Sequence, residues 1–130
     1  MIVVDASAMV EALIGKDPDD GLLEALEGDL AAPHVLDVEV LSAIRILTLG
    51  RKLNASSAHQ AISDHFAFSI LRQEIEPLAE RIWDLRHQFT SYDASYIALA
   101  EGLRAPLVTC DAKLATNGHS ADVTVFPRSD

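Results

Sequence analysis

Cysteine is nearly absent from this chain of 130 residues: Cys110 stands alone, so no internal disulfide can form, and no clustered ligands stand near it to complete a zinc site. Long apolar runs are missing too. None approaches the ~20 residues needed to span a bilayer, and Met1-Ile2-Val3-Val4-Asp5 has no basic stretch ahead of an apolar one, so the expectation is a soluble, cytoplasmic protein without membrane association. Cations are scarce. Ten Lys and Arg face twenty Asp and Glu, a formal charge of −10, which argues against broad electrostatic attraction to nucleic-acid backbones. That objection weakens if several carboxylates face a metal ion, because a bound cation can reverse the local sign. An acidic surface also suits a basic protein partner.

With 49% hydrophobic and 23% charged residues, the composition is globular. A chain of this length fits one domain, residues 1–130, burying roughly two-thirds of its unfolded surface. Short apolar runs predict strands at Ile2–Val4, Leu107–Cys110 and Val123–Phe126. Helical patterns fill the rest, at Ala8–Ile14, Leu22–Leu26, Val35–Leu49, Ala58–Ala67, Pro77–Phe89 and Ala94–Leu103. Pro77 suits a first helical position, and Gly15, Gly50 and Gly102 stand where left-handed caps are wanted. Strands separated by helices favour parallel pairing, which predicts a layered α/β sandwich. Asp17 to Asp20 lacks the spaced ligands of a calcium loop and reads as a solvated connection.

Asp5 directly follows the first strand, and Asp111 directly follows the run ending at Cys110. In open parallel sheets that end of the strands is where ligands bind. Either Asp could equally cap the helix or turn after it, by accepting from free first-turn amides. Their joint occurrence leaves the two readings even.

Glu39 is more informative, because the polar stripe of its helix runs through His34, Asp37, Arg45 and Thr48, and Thr48 lies about two and a half turns away. Glu39 therefore belongs with Val35, Ala43 and Ile46, where an ionised carboxylate is costly unless paired or bound to metal. A salt bridge remains an equal alternative, although Arg45 is on the opposite stripe. Asp93 opens a helix whose Tyr96, Ile97 and Ala100 share its face; a first-turn acid is ordinary in itself. As a set, four carboxylates could hold magnesium or manganese, which take oxygen ligands, and paired ions can drive phosphodiester hydrolysis.

Val4-Asp5-Ala6-Ser7-Ala8, Val38-Glu39-Val40-Leu41, Tyr92-Asp93-Ala94-Ser95-Tyr96-Ile97-Ala98-Leu99-Ala100 and Leu107-Val108-Thr109-Cys110-Asp111 resemble the PIN-domain ribonucleases of the VapC toxin group, nearly end to end. The resemblance implies a three-layer α/β/α sandwich with a central, mainly parallel sheet. It also implies a Mg2+- or Mn2+-dependent endoribonuclease acting on structured RNA, working as a homodimer with a VapB-type antitoxin. On this likeness Asp5 and Asp93 are the firmest metal ligands, Glu39 and Asp111 complete the pocket, and Ser7 and Thr109 supply supporting hydroxyls. Read alone, Ser7 fits a helix cap and Thr109 a strand filler. The family's further acid or Asn after the fourth carboxylate has only Asn117 to match it here.

Arg45, Arg51, Lys52, Arg86 and Lys113 are candidate phosphate contacts, though solvated exposure is the plainer reading of each. His34, His59, His65, His87 and His119 lack metal-ligand spacing, and Trp83 and Phe89 read as core. A receiver-like module would want adjacent acids after the first strand, and an aspartyl phosphatase an Asp where Ser7 stands. A catalytically inactive PIN-like domain that only binds a protein is the remaining alternative, against which stand four intact acids.

Overall fold

The computed structural model describes residues 1–129. Five parallel strands, β1 (Ile2–Val4), β2 (Leu30–Pro33), β3 (Ile70–Gln73), β4 (Leu107–Thr109) and β5 (Val123–Val125), form one sheet in the order β3-β2-β1-β4-β5. Six helices connect them: α1 (Ala6–Ile14), α2 (Asp20–Ala25), α3 (Val35–Leu49), α4 (Ala55–Ala67), α5 (Ala79–Asp84) and α6 (Ser91–Leu103). The chain steps one way through β1, β2 and β3, then reverses to β4. Right-handed crossovers therefore put α1 to α4 on one face of the sheet and α5 and α6 on the other.

Strands β2 and β3 are absent from the sequence-based expectation. Leu-Ala-Ala-Pro carries no β-branched residue and ends on proline, so its own propensity is weak. Position supplies what propensity lacks, since β2 lies between β1 and β3 with all four residues buried. Pro33 falls beyond the residues that pair with β1. Strand β3 is the sheet edge, which accounts for Arg72 and Gln73 within it.

Helix α6 is the central support, packing on β1, β2 and β4 with every residue from Ala94 to Ala100 buried. Its alanines let the backbone approach the sheet closely. Helix α3 buries Leu36, Val40 and Ile44, an i, i+4, i+8 stripe, against the body of the protein.

Several local expectations need correction. None of Gly15, Gly50 and Gly102 is left-handed: Gly15 and Gly50 have φ of −62° and −79°, and α6 runs through Gly102 to end on Arg104 at φ 53°. Gly15 answers to space instead, since a Cβ there would collide with the Glu11 carboxylate. Pro77 is the second residue of a 3₁₀ turn, Glu76–Leu78, rather than the start of a long helix, and α5 stops at Asp84. Trp83 is 66% exposed, with the Arg86 guanidinium 4.8 Å from its ring centroid, so of the two aromatics read as core only Phe89 is buried. Asp19 caps α2 by accepting from Gly21 N at 2.8 Å, so the acidic stretch is more than a solvated connection.

Candidate functional site

Strands β1 and β4 are neighbours in the middle of the sheet, and the register Val4↔Val108 brings their C-terminal ends side by side. The residues that follow, Asp5 and Asp111, therefore meet where the strand order reverses, the place in such sheets where ligands bind.

Asp5 is 5% exposed and fixed through both oxygens. Its Oδ1 accepts from Ser7 Oγ at 2.8 Å and from Ala8 N at 3.0 Å, and its Oδ2 accepts from Thr109 Oγ1 at 2.5 Å. The two hydroxyls are themselves anchored by backbone amides at the end of β4. Ser7 Oγ accepts from Cys110 N at 2.9 Å and Thr109 Oγ1 accepts from Asp111 N at 2.9 Å, joining β1, α1 and the end of β4. Asp5 thus caps α1 and faces the site at once; the sequence alternatives for it are compatible. Burial pushes its pKa above the ordinary carboxylate range against these three bonds, and the charge of Asp111 adds to the rise.

Glu39 is half-buried on α3, one residue before the core residue Val40. Its helical neighbours Val35 and Ala43 are half-buried, but Ile46 is 61% exposed, so this face meets a groove rather than the core. That groove, about 920 Å³, is lined among others by Ser7, Glu39, Lys52 and Arg128. The partner of Glu39 is Tyr96, whose hydroxyl donates to Oε1 at 2.6 Å; no ion pair to Glu39 occurs among the described residues. Burial raises the Glu39 pKa, and Asp5 and Asp93 raise it further.

Asp93 lies in the first turn of α6, behind the cap residue Thr90, whose Oγ1 accepts from Asp93 N. Burial lifts its pKa, the nearby Lys113 ammonium counters this, and Asp111 raises it again. Asp111 caps the 3₁₀ turn Ala112–Ala115 by accepting from Lys113 N at 3.0 Å. The Lys113 ammonium folds back to lie 3.8 Å from Asp93 Oδ2 and 3.8 Å from Asp111 Oδ2.

The four predicted acids thus come together from four segments. Each interacts electrostatically with at least two of the others, and the pKa values of Asp5, Glu39 and Asp93 are all raised. Such a cluster of acids costs stability until a cation arrives. Its donor atoms are all oxygen, which fits a hard divalent ion. As they stand, no three His, Cys, Asp or Glu side chains among the described residues form a ready chelating group. Asn117 is exposed beyond the 3₁₀ turn.

Two contributors escaped the sequence reading. Tyr96, 2% exposed, grips Glu39; the signal for it was its place three residues after Asp93 on the same helix face. Lys113, read as a solvated cation, is the one basic side chain ion-paired to these acids among the described residues. Asp37, placed on the polar stripe of α3, is tied to Arg72 and to the buried His65 and has no part in the cluster.

Residues 2–119 match the PIN domain family model. Ribonuclease VapC9 of Mycobacterium tuberculosis is 39% identical over 129 residues, which span 98% of this chain and all of the relative. Among solved structures, VapC20 of Mycobacterium tuberculosis, described as a sarcin-ricin loop cleaving toxin, superposes with a TM-score of 0.67 at 14% identity, covering 92% of this chain and 97% of the other. VapBC2 of Rickettsia felis, solved with a DNA fragment from its promoter, gives a TM-score of 0.70 at 13% identity, with coverage of 97% and 99%. The last two likenesses establish the fold, and the first, with the family model, the lineage. The chain belongs to the PIN-domain family and, within it, to the VapC ribonucleases.

Proposed function

We propose that the chain is a Mg2+- or Mn2+-dependent endoribonuclease, the toxin of a toxin-antitoxin pair, cutting structured RNA at the acidic site. The observation that carries this reading is the gathering of Asp5, Glu39, Asp93 and Asp111 at the strand ends, with three of their pKa values raised by burial and mutual repulsion.

Asp5, Glu39, Asp93 and Asp111 would hold the ion, with Ser7 and Thr109 keeping Asp5 in place. Such an ion, when bound, acidifies water and offsets charge building on the phosphate. Glu39 Oε1 is occupied by Tyr96, which leaves Oε2 for the ion or for the proton of the attacking water. Water adds to phosphorus and the bond to the 3′ oxygen breaks, so the products carry 5′-phosphate and 3′-hydroxyl ends. Cyclic phosphate ends would contradict this route.

The partners follow from the surface. A cluster of acids in a chain of net charge −10 suits an antitoxin of VapB type whose tail enters with an arginine. On α3, Val38, Leu41 and Leu49 stand at helical spacing with exposures of 67%, 39% and 66%, a ridge fit for a homodimer. No helix among the described residues is long and apolar enough to cross a membrane, and a cytoplasmic location would suit an RNA substrate.

The test is manganese calorimetry on wild type and Asp93→Asn beside cleavage of total cellular RNA. Binding and cleavage should both be present in wild type and lost together in the variant. A wild type that binds no divalent ion and cuts nothing returns the chain to the protein-binding reading.

A further inference from the structure

The acids surround their site unevenly. On the Asp5 and Glu39 side the polar partners are uncharged: Ser7, Thr109, the Ala8 amide and Tyr96. On the Asp93 and Asp111 side stands an ammonium, equidistant at 3.8 Å from one oxygen of each.

That placement is built into the turn. Asp111 Oδ1 is committed to the backbone amide of Lys113, so the residue that supplies the carboxylate also fixes the backbone of the residue that supplies the cation. The turn is pinned from beneath by Leu114, which is fully buried, and closed by Thr116 Oγ1 donating to Lys113 O at 2.7 Å. Asp111 is left with Oδ2, which the Lys113 ammonium approaches at 3.8 Å. Asp93 reaches the same ammonium from the first turn of α6.

We propose that Lys113 is a built-in counter-cation filling the Asp93–Asp111 side of the site, so that the protein takes one divalent ion there and not two. The proposal rests on the metal-site reading above. Paired ions in phosphodiester-cleaving sites lie about 4 Å apart and share carboxylates between them. An ammonium within ion-pair reach of both Asp93 and Asp111 takes the room and the charge that a second ion would need. It also draws those two carboxylates toward itself, consistent with the lack of a ready three-residue chelating group. The single ion then lies toward Asp5 and Glu39, which no cation pairs with among the described residues, and Asp93 and Asp111 complete its surroundings from the side that Lys113 shares.

Manganese stoichiometry without RNA tests this, by calorimetry and by the electron paramagnetic resonance signal of free ion, for wild type, Lys113→Gln and Lys113→Arg. The lysine side chain is 71% exposed, so the variants should fold, and thermal melting in chelator confirms it. One ion is expected for wild type and for Lys113→Arg. Lys113→Gln should bind two, or bind one about ten-fold more tightly. A wild type that binds two ions, or a Lys113→Gln protein identical to wild type in number and affinity, overturns the role of Lys113 alone. A wild type that binds none overturns the metal site and this inference with it.

Discussion

The Tyr96 hydroxyl donates to Glu39 Oε1 at 2.6 Å, tying α6 to α3 across the acidic site. A buried phenol thus does for Glu39 what a salt bridge would do, without introducing a positive charge that would compete with an ion. Burial raises the Tyr96 pKa, and the Glu39 carboxylate adds to the rise, so the phenol stays a donor at all working pH values. Tyr96→Phe keeps the ring and removes the donor. Its bond lowers the Glu39 pKa, so losing it moves Glu39 protonation, and with it the acid limit of ion binding, to higher pH. We expect manganese affinity to fall about ten-fold at the more acidic of two pH values and less at the more alkaline one, because loss of the bond favours the protonated carboxylate. An identical loss at both pH values would show that Tyr96 merely packs.

Thr109 should matter through its hydroxyl and not its shape. It is fully buried, donates to Asp5 and accepts from the Asp111 amide, so a single oxygen serves two of the acidic segments. Thr109→Val keeps the volume and leaves both partners unsatisfied, at a cost of about 1–3 kcal/mol. Thr109→Ser should recover most of that in chemical denaturation. If valine and serine prove equally stable, the hydroxyl is not what the strand needs.

What could be read in the sequence follows from how local each signal is. Asp5 and Asp111 were visible because an apolar strand ended directly before each, and helix α3 because its 3.6-residue periodicity runs over fifteen residues. Strand β2 was invisible because Leu-Ala-Ala-Pro becomes a strand only through the two strands flanking it, and nothing within the segment encodes those neighbours. Lys113 is exposed as expected, but its pairing was hidden for the same reason. Its spacing two residues after Asp111 is visible, but Asp93, twenty residues upstream, reaches it only in the folded chain. Trp83 was placed in the core because α5 was taken as twice its true length.

Asp93→Asn should melt higher than wild type in chelator and lower in millimolar manganese. Burial and Asp111 raise the Asp93 pKa in the folded state. A group that holds its proton more tightly when folded loses stability for the protein as pH rises through the window from its unfolded to its folded pKa. At neutral pH the ionised side chain therefore costs stability that the neutral amide does not. Manganese reverses the order, because an ion that binds only the folded wild type stabilises it by mass action. Equal melting temperatures in chelator would remove the argument that the cluster is under electrostatic strain.

Glu101 shows the opposite sign and provides a control away from the site. Arg81 donates from Nε to Glu101 Oε1 at 2.7 Å and from Nη2 to Oε2 at 3.0 Å, while Ser120 donates its amide and hydroxyl to Oε2. Led by the Arg81 bond, these hold the Glu101 pKa down at about 2, against an ordinary value of 4.5. The stabilisation is complete above the unfolded pKa and is lost as pH falls from that value through the folded one. Because Arg81 is 40% exposed and screened by solvent, the contribution is about 1 kcal/mol and not the full value of the shift. Glu101→Gln should therefore melt below wild type at pH 7 and draw level with it toward pH 2. A gap that stays constant across that range would mean the loss comes from packing or hydrogen bonding alone, with no contribution from the charge of Glu101.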